Sequence, residues 1–246
     1  MTLKLLRRIA IALVIIALVL VALLAASLVV YKPEYKWVDG QLQYITKAPL
    51  TGSHARPILG ADVNSFEALT RDFGRDRQNV WFRNRRIAGA DSATFAPLDG
   101  LYARDSARVY FAEKAIPGAD PRTFVLLSLR WARDARDVYY MDRPVHACDP
   151  ASFRLLEEHR GGWGIDAKCA YHQGVKLPGA DAASLHVLSS DYAKDRHSVY
   201  YMGERMAGAD AESFRIGDGA CKHCGGLDDA HCYVLGEARP PCKPSK

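Results

Sequence analysis

The sequence contains none of the short motifs in which common hydrolases place a catalytic nucleophile or a pair of metal-binding histidines. None of its eight histidines belongs to a Gly-x-Ser-x-Gly or a His-Glu-x-x-His pattern. The formal net charge is only +5, and three of the basic residues precede an apolar N-terminal stretch, so no basic stripe for nucleic acid remains. We therefore expect a protein that is not an enzyme, uses no cofactor and has no nucleic-acid partner.

Charged residues are absent from Ile9–Val30, where Ser27 is the only polar residue. A helix of that length measures about 33 Å, enough to cross the roughly 30 Å hydrocarbon core of a bilayer. The three basic residues before it favour a cytoplasmic N-terminus. The sequence thus predicts a cytoplasmic basic tail over residues 1–8, a transmembrane anchor over residues 9–30 and an exported remainder.

A cleavable signal peptide is the alternative to this anchor. Ala25-Ala26-Ser27 has the small residues of a cleavage site, but Leu28–Val30 continues the apolar stretch beyond the roughly 7–15 residues usual for a signal peptide. Both interpretations export residues 31–246. We expect a single-pass protein of the inner (cell) membrane, with a cytoplasmic N-terminus and a C-terminal domain in the periplasm or outside the cell.

Cysteine is missing from residues 1–147. The six cysteines of the chain all lie in the predicted exported part: Cys148, Cys169, Cys221, Cys224, Cys232 and Cys242. An even number of cysteines in an oxidising compartment favours disulfides. We predict a bond between Cys148 and Cys169, with two unpaired thiols as the alternative. For the four C-terminal cysteines disulfides are favoured, and the alternatives are a zinc site and a redox-active Cys221–Cys224 pair.

A motif of about 29 residues recurs along the exported part. Its opening Gly-Ala-Asp triplet begins at Gly60, Gly89, Gly118, Gly179 and Gly208, and Ala147-Cys148-Asp149 takes its place once, so that the chain has six repeats. Repeat 4, which starts at Ala147, carries a short insertion near Glu158–Gly162. An aromatic residue or leucine follows each triplet, and a later Asp precedes a Val-Tyr-Tyr-like segment. Such internal recurrence is typical of stacked repeats.

Each repeat is predicted to form two short antiparallel strands and one helical turn. In repeat 3, Asp120-Pro121 has the residues of a helix start, Val125–Trp131 is apolar enough for one strand, and Val138–Tyr140 has the β-branched and aromatic residues of another. Asp142-Arg143-Pro144 is predicted to be a turn. A lone hairpin is marginal in water, so stacked copies must bury the repeated aromatic residues.

The predicted fold class is therefore mainly β with short helical turns, as a solenoid-like array of about 29-residue hairpin repeats behind one transmembrane helix. A closed propeller is less favoured because its blades usually have about 40–45 residues. Residues 31–59 are expected to be a linker and a partial repeat with an Asp39-Gly40 hairpin turn, residues 60–217 the repeats, and residues 218–246 a cysteine-rich end.

Two segments resemble a known family. Tyr192–Tyr201, with Asp195 and a terminal Val-Tyr-Tyr, and Gly118–Phe124, with Gly-Ala-Asp-Pro-Arg-Thr-Phe, are similar to the two halves of the DKNYY family of bacterial repeat proteins. Arg, Ala or His stands where the family name has Lys-Asn. The resemblance covers about residues 60–217 and implies the repeat architecture and a bacterial envelope setting. It implies no activity and no catalytic residues.

The recurring aspartates have a structural and a functional interpretation. Asp76, Asp105, Asp134 and Asp195 lie where a turn needs them, and Asp62, Asp91, Asp120, Asp181 and Asp210 lie where a cap needs them. Paired catalytic acids and calcium ligation are the alternatives, but calcium loops concentrate their oxygen ligands in one compact segment. The tyrosines are assigned to packing between repeats, with a carbohydrate-facing aromatic row as the alternative.

Two functions remain to be compared. The first is a non-catalytic, membrane-anchored repeat protein of the bacterial envelope that binds a protein or a cell-wall component, because stacked repeats offer an extended surface. One version of it is an immunity-type protein that neutralises a toxin. The second is a thiol-disulfide or zinc-dependent activity of the cysteine-rich end. A binding site is sought first where the repeat pattern breaks, at the inserted segment 157–162.

Overall fold

The computed structural model describes residues 34–48, 52–156, 162–217 and 224–240. These residues form tandem small antiparallel sheets in repeated units, with a single turn of 3-10 helix at Pro150–Ser152. Within these ranges no helix is long and apolar enough to cross a membrane. The predicted basic tail and transmembrane anchor lie outside the described residues.

The chain divides into two compact units, Met1–Ala93 and Thr94–Lys246. The first unit holds a three-stranded sheet and the four-stranded sheet of repeat 1. Its strands are β1 (Glu34–Val38), β2 (Gln41–Ala48), β3 (Gly52–Pro57), β4 (Glu67–Ala68), β5 (Phe73–Arg75), β6 (Val80–Phe82) and β7 (Arg85–Arg86). The Asp39-Gly40 hairpin is confirmed, because both residues have positive φ and Val38 pairs with Gln41.

The second unit holds five four-stranded sheets, one for each of repeats 2 to 6. Their strands are β8 (Ala96–Pro97), β9 (Tyr102–Arg104), β10 (Val109–Phe111) and β11 (Lys114–Ala115); β12 (Val125–Leu126), β13 (Trp131–Arg133), β14 (Val138–Tyr140) and β15 (Arg143–Pro144); β16 (Arg154–Leu155), β17 (Trp163–Ile165), β18 (Ala170–His172) and β19 (Val175–Lys176); β20 (His186–Val187), β21 (Tyr192–Lys194), β22 (Val199–Tyr201) and β23 (Glu204–Arg205); and β24 (Arg215–Ile216), β25 (Gly226–Leu227), β26 (Cys232–Val234) and β27 (Glu237–Arg239). In each sheet, strands that are neighbours in sequence pair antiparallel.

The prediction of two strands per repeat is wrong, because two short outer strands flank the predicted hairpin. In repeat 3 the predicted strand Val125–Trp131 divides into β12 and β13, since the Ser128 hydroxyl accepts hydrogen bonds from the amides of Arg130 and Trp131 and bends the chain. The segment predicted as the last turn instead contributes β15, which pairs with β14. The helical turn of this repeat is a single turn in which the Thr123 amide donates to the Asp120 carbonyl.

Aromatic residues of one repeat pack on the next repeat in the second unit. The ring of Phe124, in repeat 3, lies 5.8 Å from that of Tyr102 in repeat 2 and 5.6 Å from that of Tyr139 in its own sheet. The same contact recurs between Trp131 and Phe153, at 5.1 Å. Each repeat therefore shares its core with its neighbour, as predicted, and an isolated copy would expose these rings to water.

Turns between the third and fourth strands also reach the preceding repeat. Gln173-Gly174 forms such a turn, with φ angles of 49° and 81°. A Cβ on Gly174 would lie 2.5 Å from the Tyr140 Cβ of repeat 3. Equivalent close approaches occur between Gly203 and His172. Glycine at this turn thus satisfies both the left-handed backbone and the contact between repeats.

Replacing Gly174 with alanine is expected to lower the free energy of unfolding by about 2–4 kcal/mol. Left-handed strain contributes about 1 kcal/mol, and the overlap with Tyr140 adds about 1–3 kcal/mol. Urea-induced unfolding followed by tryptophan fluorescence measures the loss. Gly179→Ala is the matched control, since Gly179 has φ +72 and nothing within 4 Å of an added Cβ. Equal losses in the two variants would contradict the contact between repeats.

Candidate binding cleft

The recurring aspartate of each repeat is a buried hydrogen-bond acceptor. In repeat 3, Asp134 Oδ1 accepts from the amides of Arg136 at 2.7 Å and Asp137 at 2.9 Å. Its Oδ2 accepts from the Asp120 amide at 2.8 Å and from the Tyr139 hydroxyl at 2.8 Å. The carboxylate therefore joins the turn, the opening triplet and the third strand of one repeat. Equivalent tyrosine–aspartate bonds link Tyr110 to Asp105, Tyr171 to Asp166, Tyr200 to Asp195 and Tyr233 to Asp228.

These hydrogen bonds lower the pKa of Asp134, Asp166, Asp195 and Asp228 and help to raise the pKa of their tyrosine partners. Burial opposes the charge of Asp228, but the Tyr233 hydroxyl and three backbone amides outweigh it and lower the pKa of Asp228 to about 2. Burial and the bond to Asp195 raise the pKa of Tyr200 to about 12. The structure thus agrees with the structural interpretation of these aspartates. Among the residues that the structure describes, no three His, Cys, Asp or Glu side chains are grouped so that they could hold a metal ion.

The repeated tyrosines are core residues and form no exposed row. Tyr110, Tyr171 and Tyr200 are at most 1% exposed. Their rings pack beside the phenylalanine or leucine that follows the triplet, as Phe153 does beside Tyr171. Packing between repeats, and not an aromatic row facing a carbohydrate, accounts for this pattern.

Two disulfides are present in the described part of the chain. Cys148 and Cys169 are bonded, with a Cα–Cα distance of 6.0 Å, and they join the triplet of repeat 4 to the start of its third strand. This is the predicted pairing. Cys224 is bonded to Cys232, so the alternative of a redox-active Cys221–Cys224 pair is wrong. Cys221 and Cys242 lie outside the described residues.

Removing the Cys148–Cys169 bond by a double serine substitution is expected to lower the free energy of unfolding by about 3 kcal/mol. The bond spans a sequence separation of 21 residues, and closing a loop of this size restricts the unfolded chain. Urea unfolding of the variant and of the parent under oxidising conditions measures the difference. After full reduction the two proteins should have nearly equal stability, and a loss that persisted in the reduced pair would point to the serines themselves.

A cleft of about 600 Å³ opens at repeats 3, 4 and 5. It is lined by the bends that precede the second strands of these repeats, at residues 128–131, 155–156, 162–163 and 190–191, together with Tyr140 and Gln173. The insertion of repeat 4 interrupts the pattern between Leu156 and Gly162. The cleft thus borders the segment where the sequence analysis seeks a site, although none of its lining residues was predicted individually.

The aromatic side chain at the start of the second strand donates a hydrogen bond to the next repeat in some of the repeats. Trp163 Nε1 donates to the Ser190 carbonyl of repeat 5 at 3.0 Å, and the Tyr102 hydroxyl donates to the Arg130 carbonyl of repeat 3 at 2.9 Å. Trp131 holds the same place in repeat 3, but its buried Nε1 finds no hydrogen-bond partner in the part of the chain that the structure describes. The hydroxyl of Tyr192, the equivalent residue of repeat 5, also lacks a partner there, but of these two donors only the Trp131 indole lies at the cleft.

The rim of the cleft combines opposite charges with an exposed apolar side chain. The guanidinium of Arg130 lies 3.5 Å from the Tyr140 hydroxyl, at the limit of a hydrogen bond. Asp191 accepts from the Ser190 hydroxyl at 3.1 Å. Leu129 is 67% exposed. The arrangement offers donors, acceptors and apolar surface, which together suit the binding of a small ligand.

These features define a class: an all-β tandem-repeat protein with disulfide-closed repeats and a cleft at the irregular one. A model of the DKNYY family matches residues 102–233, more than half of the sequence. The chain belongs to the DKNYY family, which confirms the resemblance. The match begins in repeat 2 and continues into repeat 6, beyond the expected end at residue 217. Comparisons with curated proteins and with solved structures gave no match.

Proposed function

We propose that this protein is a non-catalytic, membrane-anchored binding or scaffold protein of the bacterial envelope. The observation that carries the proposal is the ligand-sized cleft at repeats 3, 4 and 5, next to the point where the insertion interrupts the repeat pattern of the sequence. Regular repeats present the same surface about every 29 residues. A binding site that is specific for one ligand needs residues that differ from the repeated pattern. The ligand is a protein or a cell-wall component.

Localisation rests on the disulfides and on the N-terminal sequence. The Cys148–Cys169 and Cys224–Cys232 bonds indicate an extracytoplasmic domain, since thiols are kept reduced in the cytosol. The apolar stretch of residues 9–30 supports an inner-membrane anchor with a cytoplasmic N-terminus. An alkaline phosphatase fusion after residue 246 is expected to be active, and an inactive fusion made in normal amounts would contradict this topology.

The arrangement of repeats is proposed to be solenoid-like. Packing of Phe124 on Tyr102 and of Phe153 on Trp131 supports it, because each contact continues the core from one repeat into the next. Small-angle X-ray scattering tests it, and a scattering profile of a compact sphere would contradict it.

Ligand binding at the cleft is tested by photocross-linking in living cells. A benzophenone amino acid at Leu129, on the rim, is expected to give a specific adduct with a protein or with cell-wall polymer. Val125 is the matched control, because it is 49% exposed in the same repeat and does not line the cleft. Absence of any adduct specific to position 129, together with pull-downs from solubilised membranes that recover no partner, would contradict the proposal.

A thiol-disulfide or zinc-dependent activity of the cysteine-rich end is the competing function. The Cys224–Cys232 bond supports a structural role for at least two of its cysteines. Mass spectrometry of the unreduced protein separates the two ideas. Stable disulfides at all four C-terminal cysteines without bound metal would favour binding alone, whereas stoichiometric zinc or a readily reduced disulfide in the cysteine-rich end would favour the competing function.

A further inference from the structure

The charges around the cleft indicate the kind of ligand it takes. Among the lining residues that the structure describes, Arg130 and Asp191 are the only ionisable side chains apart from Tyr140, and their charges cancel. A strongly anionic or cationic ligand would leave one of these charges facing a like charge. The cleft therefore favours a ligand that is neutral overall and that carries both hydrogen-bond donors and acceptors.

The polar side chains of the cleft have planar groups suited to vicinal hydroxyls. Arg130 offers a fork of donors, Asp191 offers two acceptor oxygens, and Gln173 offers one of each kind. Arg130 makes only a 3.5 Å contact with Tyr140, so most of its donors remain for a ligand. Two adjacent hydroxyl groups of a ligand can each form a hydrogen bond with one of these planar side-chain groups. Such pairing requires no net charge on the ligand.

Trp131 places a buried indole N–H donor at the cleft. Trp131 is 2% exposed, and its Nε1 lacks a partner in the described part of the chain, although the equivalent Trp163 has one. A buried donor without a partner costs about 1–3 kcal/mol. An oxygen atom of a ligand that reaches this edge of the indole would remove that cost.

The cleft also has apolar side chains on which a sugar ring can pack. Leu129 is largely exposed, and Leu155 and Leu156, which line the cleft from repeat 4, are half-buried. The C–H face of a pyranose ring can pack on such side chains while its hydroxyls face the polar groups. A volume of about 600 Å³ is sufficient for about two sugar rings.

An extended peptide fits this cleft less well than a sugar does. Peptides that add to a sheet need a free strand edge with unpaired backbone groups. Trp131 and Trp163 belong to strands that are paired on both sides, in β13 and β17. Leu155 lies in an edge strand, but β16 has only two residues. Recognition in the cleft must therefore come mainly from side chains.

We propose that the cleft of repeats 3 to 5 binds a short neutral glycan segment of about two sugar rings, held by Arg130, Gln173 and Asp191. This inference rests on the proposed function as an envelope binding protein and specifies the chemistry of its ligand.

The test titrates the full-length protein with neutral oligosaccharides. The protein is purified in a detergent without a sugar headgroup, because maltoside or glucoside headgroups would compete for the cleft. Isothermal titration calorimetry uses β-1,4-linked N-acetylglucosamine oligomers of two to four rings and maltotriose as probes. We expect saturable binding of at least one probe, and a weakening of about 10-fold or more in Arg130→Ala and in Asp191→Ala, since each loses hydrogen bonds to a charged group.

The matched control is Arg136→Ala. Arg136 is an exposed arginine of repeat 3, like Arg130, but it does not line the cleft. The Arg136→Ala variant should therefore bind the probe as tightly as the parent protein does. Binding that survives unchanged in both Arg130→Ala and Asp191→Ala would overturn the inference, as would the failure of every oligosaccharide. Binding of an extended peptide in place of the sugars would also overturn it. In that case a specific cross-linked adduct at position 129 would still support the proposed function as a binding protein.

Discussion

Replacing Asp134 with alanine is expected to lower the free energy of unfolding by about 3–5 kcal/mol, the largest effect of any single polar substitution in repeat 3. The change leaves the Asp120 amide and the Tyr139 hydroxyl, both otherwise bonded to Oδ2, without an acceptor. Each buried donor left unpaired costs about 1–3 kcal/mol, and the Asp134 turn loses two further bonds. Urea-induced unfolding measures the loss.

Two substitutions serve as controls for this result. Tyr139→Phe removes only one of the four hydrogen bonds and should cost about 1–2 kcal/mol. Asp142→Ala removes an acidic residue from the same repeat whose ion pair with Lys114 is at the surface, and it should cost less than about 1 kcal/mol. If Asp134→Ala were no more damaging than Asp142→Ala, the buried network would not hold the repeat together.

The second large effect is a loss of stability at both ends of the pH scale. Folding lowers the pKa of four buried aspartates, Asp134, Asp166, Asp195 and Asp228, and to about 2 for Asp228. Their contribution is complete above the unfolded pKa of about 4 and disappears as the pH falls through the folded value. Folding raises the pKa of the partner tyrosines, to about 12 for Tyr110 and Tyr200. Their contribution is complete below about pH 10 and disappears as the pH rises through about 12.

We therefore expect the free energy of unfolding to change little between about pH 5 and 9 and to fall steeply on either side. Denaturant unfolding at a series of pH values tests this shape. Tyr200→Phe is the control for the alkaline side, where the slope should decrease by as much as about 1.4 kcal/mol per pH unit. On the acid side the loss should be limited to the part that the Tyr200 hydroxyl contributes to lowering the pKa of Asp195. An unchanged alkaline slope in this variant would contradict the role of the tyrosine–aspartate pairs.

Much of each repeat could be predicted because its signals are local and occur several times. The position of Asp134 in a turn follows from the way a short carboxylate bonds to amides two and three residues on. Phe124 and Tyr139 could be assigned to a core because a 29-residue unit has too few apolar residues to bury them alone. The Cys148–Cys169 pairing was predicted from their places in the two halves of one irregular repeat.

Other features were missed because their signals are weak or nonlocal. Strands of two residues such as β12 and β15 carry no periodic pattern, so the four-stranded sheet could not be recognised. The need for glycine at position 174 comes from Tyr140, which lies in the preceding repeat. A Gln-Gly pair predicts a turn at most, and the neighbour against which it packs is invisible until the repeats are placed side by side.

The sequence by itself determined the repeat, the family, the aromatic core and the places of the buried aspartates, because these depend on bonds and contacts that recur at fixed spacing. Only the tertiary structure decided where a site can form. Arg130, Gln173 and Asp191 belong to three different repeats, and each one alone is an ordinary polar residue at a bend or turn. They line one cleft because stacking brings their three repeats together.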